Sequence, residues 1–320
     1  MSRKITSIGR TVFSALIIAL LSISSFSQVQ LREALDFDGD QKADYSIFRL
    51  ENGTWWIYGS SNNYIVGQPW GVSDDRLVPG DYDGDNRADI AVFRETTGTW
   101  HILNSADSTY SGVNWGIDGD EPVGRDYDGD GKTDFAIVRR SGGVMTWWIY
   151  YSTGGFGAAA WGHETDFVAP GDYDGDGKFD LAIQRPGPTL TSPATFYIFG
   201  TTQGYFGAPW GISSDFAVPG DYDGDGTTDL AIVREGATGS DPLLWAIYRS
   251  DGQGVILTNF GRTDDDYTAQ ADYDGDNKTD IAVWRQSQGT FWILRSTDSQ
   301  FYGVNWGANG DYPVATYDTH

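Results

Sequence analysis

The chain has 320 residues, of which 45 are acidic and 21 basic, so its formal net charge at neutral pH is −24. This charge argues against binding to nucleic acid or to anionic membrane surfaces, because both need basic patches. The chain contains no Cys, which excludes disulfides, thiolate metal sites and cysteine nucleophiles. Gly (42 residues) and Trp (13 residues) are frequent, and this favours short strands joined by tight turns over intrinsic disorder.

Residues 1–27 have the pattern of a secretory signal peptide. A positively charged leader precedes a mostly apolar run over residues 12–23, and small residues at positions 25 and 27 precede the expected cleavage site ahead of Gln28. An uncleaved membrane anchor is the alternative, although the run is short for a membrane span. We therefore expect a secreted or cell-surface protein, with the periplasm as a further location, and a single mature domain over residues 28–320 that is not stably inserted in a membrane.

A nine-residue phrase of the form Asp-aromatic-Asp-Gly-Asp-x-x-x-Asp occurs six times, at steps of 45, 45, 46, 49 and 51 residues. We call the six copies acidic loops one to six. Each loop places four carboxylates at positions 1, 3, 5 and 9 of a short turn that contains Gly. The charges repel one another unless a cation relieves them, and hard oxygen ligands suit calcium. The candidate metal ligands are Asp36, Asp38, Asp40 and Asp44 in loop one; Asp81, Asp83, Asp85 and Asp89 in loop two; Asp126, Asp128, Asp130 and Asp134 in loop three; Asp172, Asp174, Asp176 and Asp180 in loop four; Asp221, Asp223, Asp225 and Asp229 in loop five; and Asp272, Asp274, Asp276 and Asp280 in loop six.

Two other interpretations of the acidic loops are weaker. An EF-hand loop needs an acid at position 12 and a helix on each side, whereas position 12 of loop two is Val92 and the flanking segments have the pattern of strands. Plain Asp-Gly turns, held by hydrogen bonds from side chain to backbone, are the structural alternative. Six copies that all retain the four acids favour the metal interpretation.

Each acidic loop is followed by segments with the alternation of strands. A short apolar segment ends in Arg, an aromatic segment follows, a third segment ends in an aromatic-Gly pair, and a fourth runs into the next loop. Four short strands in six repeats predict an all-β protein, a β-propeller of six four-stranded blades. We expect the repeated Trp residues to pack between blades rather than to form an exposed array for sugar stacking. The Arg-ending segments are residues 45–49, 90–94, 135–139, 181–185, 230–234 and 281–285, and the aromatic segments are residues 55–58, 100–103, 147–150, 196–199, 245–248 and 291–294.

The last residues resemble the start of a further repeat that stops at His320. The simplest prediction is that this strand, at residues 312–317, enters the first blade and closes the ring. A seven-bladed ring is the alternative, but it would need three strands that the chain does not contain. The weak N-terminal candidate strand at residues 32–37 is then displaced, or only leads into acidic loop one.

The acidic phrase followed by an apolar strand resembles the FG-GAP/VCBS repeat family, the calcium-bearing blades of integrin alpha-subunit propellers and of many bacterial surface proteins. The resemblance covers roughly residues 34–318. It implies that each acidic loop joins the first and second strands of a blade and binds calcium, up to six ions in all, through its four Asp side chains and a main-chain carbonyl near position 7. The chain lacks the Phe-Gly and Gly-Ala-Pro flanks of the integrin pattern, so integrin-like partner binding is not implied.

A recognition site is expected on the face opposite the acidic loops. The turns between the second and third strands are longer in repeats three to five, at residues 140–145, 186–194 and 235–243, and such broken symmetry is typical of a site, with neutral loop drift as the alternative. The six strand-ending Arg residues approach the same face. They either bind anionic groups of a glycan or, as we expect, pair with the repeated Asp of the blade connections, namely Asp75, Asp120, Asp166, Asp215, Asp266 and Asp311.

The sequence offers little for catalysis. It contains three His, and only His163, followed by Glu164 in a blade connection, could seed acid-base chemistry. We therefore predict no catalytic residues and no enzyme. The predicted function is a secreted, monomeric, calcium-binding propeller that recognises an extracellular glycan or protein. The alternatives are a polysaccharide-active lyase or hydrolase on the same scaffold and a purely structural cell-surface protein.

Overall fold

Six four-stranded antiparallel sheets account for the strands of the computed structural model, which describes residues 34–61 and 64–318. Each sheet is one blade of a β-propeller, so the predicted all-β fold and the number of blades are confirmed. The predicted signal peptide and its cleavage site lie outside the described residues. In chain order the strands are β1 (Tyr45–Arg49), β2 (Thr54–Tyr58) and β3 (Ile65–Pro69) of blade one; β4 (Arg76–Leu77), β5 (Ile90–Arg94), β6 (Thr99–Leu103) and β7 (Tyr110–Asn114) of blade two; β8 (Glu121–Pro122), β9 (Phe135–Ser141), β10 (Val144–Tyr150) and β11 (Phe156–His163) of blade three; β12 (Phe167–Val168), β13 (Leu181–Arg185), β14 (Pro193–Gly200) and β15 (Gly204–Ile212) of blade four; β16 (Phe216–Ala217), β17 (Leu230–Arg234), β18 (Leu244–Tyr248) and β19 (Val255–Asn259) of blade five; β20 (Asp266–Thr268), β21 (Ile281–Arg285), β22 (Thr290–Leu294) and β23 (Phe301–Asn305) of blade six; and β24 (Asp311–Pro313), which returns to blade one.

In blades two to six the strands lie in sequence order, with the short first strand at one edge and the fourth at the other. In blade one the first strand is β24, so β1, β2 and β3 are its second, third and fourth strands. The second strand is buried along its apolar residues and ends at the half-buried Arg, as in β5 and β17. Successive side chains of a strand point to opposite faces, so a run of buried apolar residues indicates that both faces of the sheet are covered. Neighbouring blades cover those faces, and the acidic loop joins the first strand to the second as expected.

Both ends of the described chain contribute to the first strand of blade one. Strand β24 pairs with β1, with Ile47 opposite Pro313 and Arg49 opposite Asp311. Farther along the same edge, the carbonyl of Leu35 accepts the N–H of Asp44 at 2.9 Å. The closure of the ring by the C-terminal segment is thereby confirmed, but its strand covers residues 311–313 instead of the predicted 312–317, because the chain forms a 3₁₀ helix from Val314. The N-terminal segment supplies the residue directly before acidic loop one. A short 3₁₀ helix, Val314–Asp318, follows β24, and Val314 and Ala315 within it are buried.

Tryptophan side chains join the blades. Trp55, Trp100, Trp147 and Trp245 of the third strands are fully buried in the core. At the end of the fourth strand, five Trp residues donate their indole N–H to a backbone carbonyl of the next blade, which confirms that the repeated Trp residues pack between blades. These five bonds are Trp70 to His101, Trp115 to Trp148, Trp161 to Tyr197, Trp210 to Ala246 and Trp306 to Trp56. Phe260 occupies the corresponding position in blade five and has no N–H to donate.

The prediction of a longer turn in repeat three is wrong. Its extra residues lengthen the strands, because β9 continues to Ser141 and β10 begins at Val144, and only Gly142 and Gly143 form the turn. Their positive φ angles of 66° and 84° suit glycine at this tight connection. In blade four the second strand ends at Arg185, and residues 186–192 form an irregular loop before β14. Within the described residues, none of the helices is long and apolar enough to cross a membrane.

Candidate metal centres and the opposite face

Acidic loops one to five each bring three carboxylates together. One oxygen from each of the three lies within 4.8 Å of the other two. The groups come from positions 1, 3 and 5 in loops one, two and five, and from positions 1, 3 and 9 in loops three and four. The three acids are Asp36, Asp38 and Asp40; Asp81, Asp83 and Asp85; Asp126, Asp128 and Asp134; Asp172, Asp174 and Asp180; and Asp221, Asp223 and Asp225.

The acids at positions 1 and 9 also build the loop itself. In loop three, Asp126 accepts the backbone N–H groups of Gly129 and Gly131 at 2.6 and 2.8 Å. Asp134 accepts the N–H of Tyr127 through one oxygen and the N–H of Ser152 through the other, at 2.8 and 2.7 Å. A carboxylate that accepts several backbone N–H groups fixes the fold of a turn. The Asp-Gly turn alternative therefore describes part of what these two acids do, while the Oδ1 of Asp128 at position 3 remains available for another ligand.

A second turn of the same blade closes over each acidic loop, and the sequence analysis missed it. A Ser or Thr lies one or two residues after the third strand in every blade, and its hydroxyl donates to the acid at position 5, at 2.5 to 3.0 Å. Its N–H donates to the acid at position 9, as Ser152 does to Asp134. The signal was present as a repeated hydroxyl residue after each aromatic segment. These residues are Ser60, Ser105, Ser152, Thr201, Ser250 and Ser296.

Buried carboxylate oxygens without a hydrogen-bond partner mark position 3. The Oδ1 atoms of Asp38, Asp128 and Asp174 are buried and accept no hydrogen bond. Burying a charged oxygen without compensation is costly, and a cation would relieve that cost. Several carboxylate oxygens grouped on a Gly-containing turn are the hard donor set that calcium takes in proteins. The residues present therefore fit a calcium ion.

Burial also makes the acids at position 9 weaker acids than usual. Desolvation raises the pKa of these carboxyls, the neighbouring loop carboxylates raise it further, and the backbone N–H bonds oppose both effects. The raised pKa shows that the ionised loop is held at a cost in a buried, negatively charged environment. The pKa is raised to about 7 in Asp44, Asp134, Asp180, Asp229 and Asp280, and to about 6 in Asp89.

The six acidic loops form a closed ring of hydrogen bonds. In each loop the backbone N–H of position 8 donates to the carbonyl of position 1 in the preceding loop, at 2.6 to 2.9 Å, and loop one completes the circle by bonding to loop six. The six bonds run from Ala43 to Asp272, Ala88 to Asp36, Thr133 to Asp81, Phe179 to Asp126, Thr228 to Asp172, and Thr279 to Asp221.

Side chains at position 7 reinforce this ring. Lys132 of loop three crosses Gly84 of loop two, where a Cβ atom would lie 2.5 Å from its side chain, and donates its ammonium N–H to the carbonyl of Asp83 at 2.8 Å. Gly84 also has a φ angle of +85°, a second reason for glycine at this position. Each loop is thus positioned by its neighbour as well as by its own blade.

On the opposite face, the six strand-ending Arg residues pair with the Asp residues of the blade connections, as expected. The closest N–O distances are 2.6 to 2.8 Å, and the Asp side chains are at most 3% exposed. Each Arg donates through Nε and Nη2, so these groups organise the face rather than form a ring of anion sites. The pairs are Arg49 with Asp311, Arg94 with Asp75, Arg139 with Asp120, Arg185 with Asp166, Arg234 with Asp215, and Arg285 with Asp266.

The enlarged turns of repeats four and five pack on the connections that leave their own blades. In blade four, the N–H of Ser213 donates to the carbonyl of Ser192. In blade five, Gly236 donates its N–H to Thr263 Oγ1 at 2.8 Å, and the N–H of Asp264 bonds to the carbonyl of Gly239 at 3.1 Å. The turn of blade five, with Glu235 and Leu243, borders a cavity of about 480 Å³ near the centre of the face.

Of the two histidines in the described residues, His101 has a structural role, whereas His163 is exposed and contributes a hydrogen bond of its backbone. His101 bonds to the Tyr110 hydroxyl through Nδ1 at 3.0 Å and stacks on the Tyr110 ring, and burial lowers its pKa. The N–H of His163 donates to Asp166, and the side chain of Glu164 accepts the N–H of Gly143. The carboxylate of Glu164 therefore holds the hairpin of blade three.

Comparison with known proteins identifies the repeats. Residues 126–183 and 221–283 match the FG-GAP-like repeat family. No curated protein matches the chain. Among solved structures, 32 chains match. One, a protein of Bacteroides uniformis named as a candidate 6-phosphogluconolactonase, is 11% identical with a TM-score of 0.45, over 85% of this chain and 98% of that chain. A protein of Lactobacillus plantarum is 10% identical with a TM-score of 0.43, over 84% of this chain and 99% of that chain. The chain is a six-bladed β-propeller, and two stretches of it match FG-GAP-like repeats.

Proposed function

We propose that this propeller is a secreted calcium-binding module that recognises an extracellular glycan or protein through the face opposite its acidic loops. The calcium part is supported by one observation above all: the same group of carboxylates recurs in successive loops, with buried oxygens of Asp38, Asp128 and Asp174 that accept no hydrogen bond. The predicted signal peptide supports a location outside the cytoplasm, where calcium is abundant; in a secreted chain without Cys, calcium takes the stabilising role that disulfides have in other secreted domains.

The acid at position 3 is the ligand that the loops present most directly, because its Oδ1 accepts no hydrogen bond in Asp38, Asp128 and Asp174. In loop three the acids at positions 1, 5 and 9 have both oxygens in hydrogen bonds, yet a carboxylate oxygen carries two lone pairs, so they can still face an ion. The hydroxyl residue of the neighbouring turn orients the acid at position 5. A bound calcium ion would supply positive charge to the buried carboxylates and so stabilise the ring of loops.

The recognition part rests on the contrast between the two faces. The acidic face repeats with little variation, whereas the opposite face differs from blade to blade in turn length and in the residues that surround its central cavities. Loops of variable length on a rigid scaffold are where binding sites are commonly found.

The proposal is tested by removing calcium from the mature protein, residues 28–320. Extracellular calcium modules have dissociation constants of about 0.1–1 mM, and tenfold saturation stabilises each site by about 1.4 kcal/mol, or roughly 8 kcal/mol for six independent sites. We expect metal analysis to find several calcium ions per chain and thermal unfolding to shift strongly on chelation, with magnesium a poor substitute. An unchanged melting temperature after chelation would refute the calcium role.

The same preparations, with calcium and with chelator, can then be applied to a glycan array and to extracellular proteins of the host cell. Selective retention of a glycan or a protein by the calcium-loaded form supports recognition. Retention of neither class by a folded, calcium-loaded protein would leave a purely structural role.

A further inference from the structure

A cavity of about 480 Å³ lies between blades five and six, at the central opening of the face opposite the acidic loops. Its volume is within the range of sites for small molecules, roughly 300–1,000 Å³. The residues that line it include Phe216, Tyr267, Tyr312, Glu235 and Asp264. We propose that this cavity binds a small organic cation that carries an alkylammonium group.

Three aromatic side chains form one wall of the cavity. Phe216, Tyr267 and Tyr312 come from the first strands of blades five, six and one, at corresponding positions of the repeat. Phe216 and Tyr312 are 41% and 38% exposed, and the rings of Tyr267 and Tyr312 lie 5.3 Å apart at an angle of 53°. Aromatic rings at an angle to one another offer their faces to a cation, which is attracted to the ring electrons.

Carboxylates form the opposite wall. Glu235, Asp264, Asp265 and Asp266 line the cavity, and its lining contains no Lys or Arg. Asp266 is paired with Arg285, and Asp265 accepts hydrogen bonds from the N–H and hydroxyl of Ser287. Glu235 and Asp264 are exposed. Arg285 also approaches Asp265 at 3.9 Å, and Arg262 attracts Asp265 as well, so the negative charge left for a ligand comes mainly from Glu235 and Asp264.

This combination selects a cation over other small ligands. An ammonium group gains charge-assisted hydrogen bonds or Coulomb attraction from the carboxylates and cation–π attraction from the rings. An anionic ligand would be repelled, both locally and by the net charge of −24. The corresponding residue of blade four, Phe167, is also aromatic but does not line the cavity, and in blades two and three the corresponding residues are Arg76 and Glu121.

The inference deepens the proposed recognition function by naming the ligand class of one site. It can fail independently of the calcium proposal, because the calcium experiments measure the other face. All binding measurements are made at saturating calcium, so that the acidic loops do not compete for the cation.

The test compares choline with 3,3-dimethylbutan-1-ol, a neutral molecule of the same shape, by calorimetry and by NMR of the protein. We expect choline to bind, the neutral alcohol to bind at least about tenfold more weakly, and choline binding to weaken as NaCl is raised. The double variant Glu235→Gln/Asp264→Asn and the variant Phe216→Ala should each weaken choline binding at least about fivefold. The proposal would be overturned if the two molecules bound equally well, or if choline did not bind at a concentration of about 10 mM.

A matched control removes two exposed acids from the same face at another place, Glu51→Gln/Asp118→Asn. It should leave choline binding within about twofold of the unchanged protein. If the control weakens binding as much as Glu235→Gln/Asp264→Asn does, the attraction belongs to the whole negative surface and the assignment to this cavity is wrong. Melting temperatures of all variants at saturating calcium verify that each is folded.

Discussion

The acids of one loop should separate into metal ligands and structural acids when they are replaced individually. Asp128 and Asp134 of loop three are the clearest pair. Asp128 has a buried Oδ1 that accepts no hydrogen bond, and its Oδ2 accepts the hydroxyl of Thr153. Asp134 uses both oxygens for backbone N–H groups, of Tyr127 and Ser152. Asn has the same size as Asp but only one acceptor oxygen. Asp128→Asn therefore tests the loss of a metal ligand, whereas Asp134→Asn tests the loss of a hydrogen-bond acceptor.

In Asp128→Asn, the amide oxygen can still accept from Thr153, and the amide N–H₂ faces the remaining carboxylates. Without calcium, the free energy of unfolding should change by less than about 0.5 kcal/mol, because one repulsive charge is lost and no hydrogen bond is broken. At tenfold saturation with calcium, the variant should lack the contribution of one site, about 1.4 kcal/mol.

In Asp134→Asn, one of the two backbone N–H groups loses its acceptor and faces an amide N–H₂ instead. An unsatisfied buried donor costs about 1–3 kcal/mol, and this loss should be present with and without calcium. Urea unfolding of both variants, in chelator and in calcium, separates the two cases, and Asp118→Asn on the opposite face serves as the control. If Asp128→Asn destabilises the chelated protein as much as Asp134→Asn does, or if it binds as much calcium as the unchanged protein, the division of roles is refuted.

Two further predictions concern the whole ring. Burial raises the pKa of the acids at position 9 from 3.8 to about 6 or 7, so in chelator the stability that protonation provides is complete below about pH 4 and is lost as the pH rises through 7. The melting temperature in chelator should therefore fall between pH 5 and pH 8, and the gain from calcium should grow over the same interval. A melting temperature in chelator that rises with pH would contradict the assignment. Trp115→Phe should lower the free energy of unfolding by about 0.5–1.5 kcal/mol, because it removes the 3.1 Å hydrogen bond to the carbonyl of Trp148 and keeps an aromatic ring at this position. Urea unfolding measures the change, and no change at all would show that this bond between blades contributes nothing.

The sequence predicts most of the fold because the residue pattern of each repeat indicates its strands. The segments that end at Arg94 and Arg234 are strands with those bounds, since a continuous apolar run that ends in a charge corresponds to a buried strand that ends at the surface. The closure through residues 311–313 follows from an incomplete repeat. The insertion at residues 140–145 could not be assigned in the same way, because extra residues in a hairpin can extend two strands or enlarge the loop, and the sequence pattern of Ser141 and Val144 allows both.

The sequence predicts the acids of the candidate site but not the groups that form hydrogen bonds to the acidic loops. Four carboxylates in a phrase are visible in one copy of the repeat. The hydroxyl of Ser152, by contrast, lies 22 residues from Asp130 along the chain, and the carbonyl of Asp81 lies in a different blade from Thr133. Such partners become neighbours only through the pairing of strands and the stacking of blades, neither of which leaves a local pattern. The cavity beside Tyr312 is hidden from the sequence for the same reason, because three blades contribute to it.

The two faces differ in how far a change in one loop spreads, and this difference explains why one is regular and the other is not. An inserted residue in acidic loop three would disturb the bond from Thr133 to loop two and the bond from Phe179 of loop four, so three blades would be affected. The enlarged turn of blade five bonds to Thr263 and Asp264, which belong to the connection leaving the same blade. A change there is confined to one blade and its exit. The face opposite the acidic loops can therefore vary at little cost to the ring, and it is there that a binding site can be formed without loss of the structure that positions it.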